Sequence, residues 1–324
     1  MELVDSKTFF ELIKIFEYVP HTQSREWLLF TDADQKDKAI YLLDNIRRPS
    51  IACFAHVKKR FGIKMLWIEG ECLKKMDTSF ESISTFYKEI CGLGYPIIEV
   101  NSAYPYTADY EVAIRRAGYL RPCGLFSTPL TIQIALDKDI NYNRNWERNL
   151  RKAEKFAFQF EEITAVSNET IAQFVSIYNS MAQYKGFSYR LNKESVARLL
   201  QGNEMKLFQL KDATGEVHCM RIIHIHNERA TDVFAANTEN SRENAATYFM
   251  MQAIFNILKT SGCTLFDFGR ILPGHEGTDS VTQFKSGVHG EKALYNGEWS
   301  WYKNPFYRPM MYMVKKYLLK KTEV

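Results

Sequence analysis

Apolar residues recur at helical spacing near the N-terminus, at Phe9, Phe10, Ile13 and Phe16, and predict a helix over Ser6–Phe16. Short apolar runs then predict strands at Trp27–Phe30, Ala39–Leu43, Ile51–Val57 and Lys64–Ile68, with Phe61-Gly62 connecting the last two. A helix follows over Phe80–Cys91 and closes at Gly92. After it come a strand at Tyr95–Val100, a short helix at Tyr110–Ala117 stopped by Gly118, and a strand at Leu130–Leu136.

The second half repeats this order. Asn168 is placed to cap a helix whose Ile171, Phe174, Val175, Tyr178 and Met181 share one face. Strands are predicted at Met205–Leu210, Val217–His226 and Ala230–Ala236, then a long helix over Arg242–Lys259, a strand at Thr264–Phe268 and a short helix at Val281–Ser286. Each half carries an acidic residue late in the strand after its long helix, Glu99 and Asp267, and then a short basic helix ending at glycine. A duplicated unit of α/β (α+β) class explains this order, with a boundary near Asp137–Tyr142. The expected domains are 1–140, 141–304 and a C-terminal helix over 305–324.

The length of 324 residues suits two domains, and a hydrophobic share of 46% supplies both cores. Sixteen Gly and nine Pro are too few for a disordered or collagen-like chain. The net charge of +4 permits an anionic partner without requiring one. The longest uncharged run, Pro122–Leu136, is shorter than the roughly 20 apolar residues of a membrane span. Glu2 and Asp5 stand where a secretory signal would be basic, so a cytoplasmic location is expected. The six cysteines are widely spaced, lack a C-x-x-C pair and read as reduced, buried side chains.

Two segments carry candidate chemistry. In Arg144–Lys155 a helix gathers Arg144, Arg148, Arg151, Lys152 and Lys155 on one face, opposite Trp146, Leu150 and Ala153. Such a stripe is either a phosphate-binding surface, suited to the planar fork of Arg, or a solvated face. The second segment runs Phe266-Asp267-Phe268-Gly269-Arg270, then Pro273-Gly274-His275-Glu276-Gly277, then Gln283-Phe284-Lys285. A strand opening into a glycine-containing loop is where α/β folds place ligands, and a Lys beside such a cleft can stabilise an oxyanion; the plain alternative is a surface lysine. Asp267-Phe268-Gly269 spells a kinase triplet, but the phosphate loop and catalytic loop of kinases are missing. His224 and His226 alternate on one strand with His218 nearby, without the carboxylate or cysteine signature that would complete a metal site. Neither Cys219 nor Cys263 has an evident His partner for thiol chemistry.

The second half resembles the Fem peptidyltransferases (FemABX), tandem GNAT-like acyltransferases that move an amino acid from aminoacyl-tRNA onto a peptidoglycan precursor. The resemblance rests on Trp146–Lys155, Tyr178–Phe187, Phe266-Asp267-Phe268-Gly269 and Gln283-Phe284-Lys285-Ser286-Gly287. The first half fits the family's degenerate unit through Ile98–Asn101, Ala117–Tyr119 and Thr131–Leu136. The chain lacks a heptad insertion between Ser188 and Met205. Asn237–Tyr248 also lacks the Gln/Arg-x-x-Gly-x-Gly pattern with which ordinary GNAT enzymes hold coenzyme A, and this weighs mildly against acyl-CoA as donor.

The resemblance implies two GNAT-like domains, each a mixed sheet flanked by helices, and acyl or aminoacyl transfer to an amine. It assigns Lys285 to the oxyanion and Asp267 to accepting a proton or organising the loop. It assigns Arg148, Arg151 and Lys152 to phosphates, and Tyr248, Phe284 and Arg270 to the substrate groove. It implies no metal and no resident cofactor. The donor would be aminoacyl-tRNA or acyl-CoA, and the acceptor a phosphorylated amine such as a muropeptide precursor. A non-catalytic tRNA- or anion-binding module is the alternative from another class.

At the C-terminus, Met310, Met313, Val314, Tyr317 and Leu318 would share one helix face, with Lys315, Lys316 and Lys320 elsewhere. That pattern suits either peripheral contact with an anionic membrane or packing on the second domain.

Overall fold

A computed structural model describes residues 1–34, 39–60, 62–74, 78–123, 129–272 and 279–318. The first elements are β1 (Glu2–Val4), α1 (Ser6–Leu12), α2 (Arg25–Asp34), β2 (Ala39–Leu43), β3 (Ile51–Arg60), β4 (Ile63–Glu69) and β5 (Cys72–Leu73). Next come α3 (Phe80–Cys91), β6 (Ile97–Pro105), α4 (Ala108–Arg116), β7 (Leu130–Ala135), α5 (Arg144–Ala153), β8 (Gln159–Ile163), α6 (Asn168–Tyr184) and α7 (Lys193–Leu199). The rest are β9 (Met205–Lys211), β10 (Val217–His226), β11 (Arg229–Asn237), α8 (Asn240–Glu243), α9 (Ala246–Thr260), β12 (Leu265–Arg270), α10 (Asp279–Ser286), β13 (Glu291–Tyr302) and α11 (Tyr307–Met313). A π-helical turn, Val314–Leu318, continues α11.

The chain folds as two compact units. One holds Met1–Arg25, Gln35–Leu130 and Ala293–Val324; the other holds Glu26–Asp34 and Thr131–Lys292. In the first unit the strands run β1-β2-β3-β4-β6-β13, antiparallel except for the parallel pair β4–β6. Helix α3 starts where Ser79 accepts the Ser82 amide, and its Ile83, Phe86, Tyr87 and Ile90 fall at helical spacing on the buried side. These side chains join Leu66, Ile98, Val100, Tyr110, Ile114, Tyr119 and Trp299 in one core.

In the second unit the order is β8-β9-β10-β11-β12-β7, and the one parallel pair among the described residues is β11–β12. The two sheets match position for position. Yet β7, which follows α4 in the chain, belongs to the second unit, and β13, which follows α10, belongs to the first. The paired acidic residues match as well. Glu99 on β6 accepts a hydrogen bond from Ser300 on β13 at 3.3 Å, and Asp267 on β12 accepts one from Gln133 on β7 at 2.9 Å.

Several expectations need correction. The run Trp27–Phe30 is helical rather than a strand, because Trp27 and Phe30 fall one turn apart, meet with ring centroids 5.0 Å apart and pack together on Phe234. A run of four apolar residues fits either period, and packing decided it. The cap of α6 is Ser167, whose hydroxyl accepts the Thr170 amide, and not Asn168. The helix expected over Arg242–Lys259 breaks at Ala245, held left-handed at φ 59°. Residues 293–304, expected to finish the second domain, belong to the first unit, where β13 pairs with β6. The C-terminal helix also packs on the first unit, through Met311 against Met65 and Ile97. Among the described residues no helix is long and apolar enough to cross a membrane.

Candidate active site

The second unit brings the two candidate segments together. Asn143 caps α5 by accepting the Trp146 amide at 2.9 Å, and its own amide donates to the Gly287 carbonyl at 2.8 Å. Trp146, fully buried, donates from Nε1 to the Phe284 carbonyl at 2.7 Å, and its ring stacks on Phe284 with centroids 4.9 Å apart. A side chain at Gly287 would drive its Cβ to 2.2 Å from Trp146, so only glycine lets α10 approach α5 this closely. With Trp146, Leu150 and Ala153 turned inward, Arg144, Arg148, Arg151 and Lys152 are left exposed, and Lys155 is exposed just beyond the helix. The stripe foreseen from sequence exists as a cationic surface.

Tyr248, near the start of α9, touches both segments. Its ring meets Trp146 at 4.9 Å and Phe284 at 5.0 Å, edge to face in both cases. Burial pushes its phenol up, while the Asn145 side chain and the Arg148 charge pull it back, which puts the hydroxyl beside the first turns of the basic helix. Trp146, Tyr248 and Phe284 therefore form one aromatic cluster.

Lys285 follows Phe284 directly. Its Nζ donates to the carbonyls of Phe268 at 2.6 Å and Arg270 at 3.2 Å, at the end of β12. An ammonium has three N–H donors, so the third has no protein acceptor among the described residues. Burial lowers the Lys285 pKa; Asp232 and Asp267 oppose that shift, while Arg221 and Lys185 reinforce it.

Asp267 is buried and fully engaged. It accepts from the Thr131 hydroxyl at 2.5 Å, the Gly269 amide at 2.7 Å and Gln133 Nε2 at 2.9 Å. Three donors hold it at the strand end, with Gly269 left-handed at φ 70°. Arg270 enters the site through its backbone, since its carbonyl is what holds Lys285. Pro273–Gly277, with His275 and Glu276, lies outside the described residues.

Sequence reasoning missed the ion pair beneath Lys285. Arg221 on β10 donates to Asp232 on β11, and both side chains are buried. Arg221 Nε and Asp232 Oδ1 have no further partner among the described residues. Lys185, at the end of α6, has its pKa lowered by burial and then by the charges of Arg242 and Arg221. A charged residue in the middle of the otherwise apolar run Cys219–Ile223 was the available signal. Asp232→Asn keeps the shape and removes the charge facing Arg221. It should cost about 2 kcal/mol in urea unfolding, with the loss confined to this unit; equal stability would show that the pair contributes nothing.

The other groups singled out from sequence go elsewhere. His224 and His226 both reach Glu204, at 3.2 and 2.8 Å, while His218 meets Asp212 at 3.1 Å, so the three histidines do not converge. Asp212, Glu216 and His218 lie close enough to share a cation, but Asp212 is already taken by the Thr214 and Glu216 amides of its own turn. Burial pushes the Cys219 thiol up to about 11, which leaves no thiolate for nucleophilic chemistry.

Residues 141–286, which span α5 to α10, match the sequence model of the acetyltransferase (GNAT) domain. This GNAT-like region lies within the second unit. Around it the whole chain has the tandem, FemX-like form expected from the sequence. It superposes on the crystal structure of FemX with a TM-score of 0.79, covering 96% of this chain and 100% of that one at 11% identity. The structure of L-PGS from Bacillus licheniformis gives 0.63, with 97% of each chain covered at 13% identity. A tandem GNAT protein from the clavulanic acid biosynthesis pathway gives 0.54, with 94% and 99% covered at 10% identity. No curated protein sequence matches the chain. The chain has a FemX-like fold, and within it residues 141–286 resemble the acetyltransferase (GNAT) domain.

Proposed function

We propose that this acyltransferase moves an aminoacyl group from aminoacyl-tRNA to the amine of a phosphorylated acceptor of the muropeptide-precursor type. The observation that carries the reading is the third N–H of Lys285, left without an acceptor among the described residues, at the end of β12 and joined through Phe284 and Trp146 to an exposed cationic helix. The acceptor amine attacks the ester carbonyl, and Lys285 donates to the oxygen that becomes the oxyanion. Collapse breaks the ester C–O bond, and the proton lost by the attacking nitrogen ends on the departing ribose hydroxyl. Tyr248 and Phe284 supply the wall of the groove. Arg148, Arg151 and Lys152 take phosphates, for which their guanidinium and ammonium groups are suited.

Two further points support aminoacyl over acetyl donors. One fold neighbour is by name the C-terminal domain of a putative lysylphosphatidylglycerol synthetase from Agrobacterium fabrum. The turn before α9, where a coenzyme A loop would need glycine, holds Asn244 and a left-handed Ala245 instead. A thermal-shift screen of aminoacyl-tRNAs, acyl-CoAs and nucleotide-linked muropeptides, followed by a transfer assay, tests the reading, since a bound ligand raises stability with its concentration over Kd. Stabilisation by acetyl-CoA alone would favour the alternative N-acetyltransferase. Binding of tRNA without transfer to any acceptor would favour the non-catalytic module.

The basic helix gives a separate expectation. Replacing Arg148, Arg151 and Lys152 by Gln should weaken tRNA binding and flatten its salt dependence, by about one unit of log–log slope for each phosphate that is no longer neutralised. Titrations at two salt concentrations read this out, and an unchanged slope reduces the stripe to a solvated face.

A further inference from the structure

The C-terminal helix is turned the opposite way from a helix that buries its apolar stripe. Its inward residues are Met311, packed on Met65 and Ile97, and Lys315, whose ammonium lies 3.3 Å from Glu99 Oε2 with both side chains buried. Phe306, Pro309, Met310, Met313, Val314 and Tyr317 line an apolar groove; Met310 also packs on the Met65–Ile97 cluster, while Phe306, Met313 and Tyr317 face out. Phe306 is 70% exposed, Tyr317 59% and Met313 53%. A contiguous apolar surface of this kind is uncommon on a protein that meets only water, and usually marks an interaction site.

Charge selects the occupant. From Trp299 to Thr322 the sequence has no acidic residue, while Lys303, Arg308, Lys315, Lys316, Lys320 and Lys321 are basic. Lys315 is neutralised by the buried Glu99, whereas Lys303 and Arg308 are exposed and Lys316 lies over the rings of Tyr312 and Tyr317. An exposed apolar face with aromatic and Met side chains, in a segment whose charged residues are all cations, matches a bilayer interface: the apolar residues enter the acyl boundary and the cations meet anionic headgroups. We infer that α11 and its π-helical turn dock the protein peripherally on anionic lipid surfaces. A second copy of this chain would bring the same cations together and is disfavoured for that reason.

The test is co-sedimentation of the full chain with phosphatidylcholine vesicles, with or without phosphatidylglycerol at roughly three in ten lipids. The chain is expected to bind the anionic vesicles, less so as salt rises, and to leave neutral ones largely unbound. Phe306→Ser/Met313→Ser/Tyr317→Ser alters only exposed side chains and should weaken binding about tenfold or more. Lys303→Gln/Arg308→Gln should weaken it severalfold and reduce the salt dependence. The inference fails if the unaltered chain stays in the supernatant, or if the triple variant sediments equally. It also fails if the triple variant converts a dimer to a monomer while neither form binds vesicles, because the face would then be a self-association surface.

Discussion

Lys285→Ala is expected to lower turnover by about a hundredfold or more while the protein stays folded, because an oxyanion donor in a water-poor site is worth about 2.7–4 kcal/mol in the transition state. The ammonium also holds the carbonyls of Phe268 and Arg270, so its loss removes two structural hydrogen bonds along with the catalytic one. Lys285→Met keeps most of the volume and separates packing from charge. Both variants should lose kcat far more than they raise KM, since the interaction forms with the developing charge. The pH profile carries a second sign. Burial lowers the Lys285 pKa, so the active, charged form should disappear as pH rises through a value below that of an ordinary lysine. Turnover in Lys285→Met within a few-fold of the parent would remove Lys285 from the chemistry.

Glu71→Gln should stabilise the protein near neutral pH and above. Glu71 lies fully buried in the first unit, where Ser102 donates to it at 2.6 Å. Burial pushes its carboxyl up to about 7, and the Ser102 and Tyr110 hydroxyls offset only part of this. The folded state therefore holds a proton that the unfolded chain releases above about 4.5. Stability is whole below that value and is lost as pH rises toward about 7, by about 3 kcal/mol in total. Gln mimics the neutral acid at every pH. The variant should match the parent near pH 4.5 and exceed it by about 2–3 kcal/mol near pH 8 in urea unfolding. A stability difference that does not change with pH would show that Glu71 is ionised in the folded protein.

The duplication was legible because its markers are local. Helix α3 follows the spacing of Ile83, Phe86, Tyr87 and Ile90, and the left-handed Gly94 and Gly262 follow the two long helices at matching places. The basic face of α5 was legible for the same reason, since one helical period fixes which side Trp146 and Arg148 occupy. The strand β13 was not, because its pattern is set by a partner nearly two hundred residues away: Trp299 pairs with Val100, and a bulge between Tyr295 and Gly297 interrupts its alternation. The ion pair of Arg221 and Asp232 escaped for a related reason. The two residues are not direct cross-strand partners; a register shift beside Ile222 and Ile223 brings them together. Lys285 was found by resemblance, but the carbonyls that position it emerge only once β12 and α10 are in place.

The placement of β13 also sets the order in which the protein can finish folding during synthesis. Strand β6 is made early, and one of its two edges is filled only by residues 295–302. Until those residues have left the ribosome, the first unit must wait with an open row of backbone donors and acceptors along Ile97–Pro105. An unpaired, mostly buried-type strand is the kind of edge that recruits other chains. A nascent protein cut or stalled before residue 295 should therefore aggregate through its N-terminal half, even though every residue of the GNAT domain has already been made.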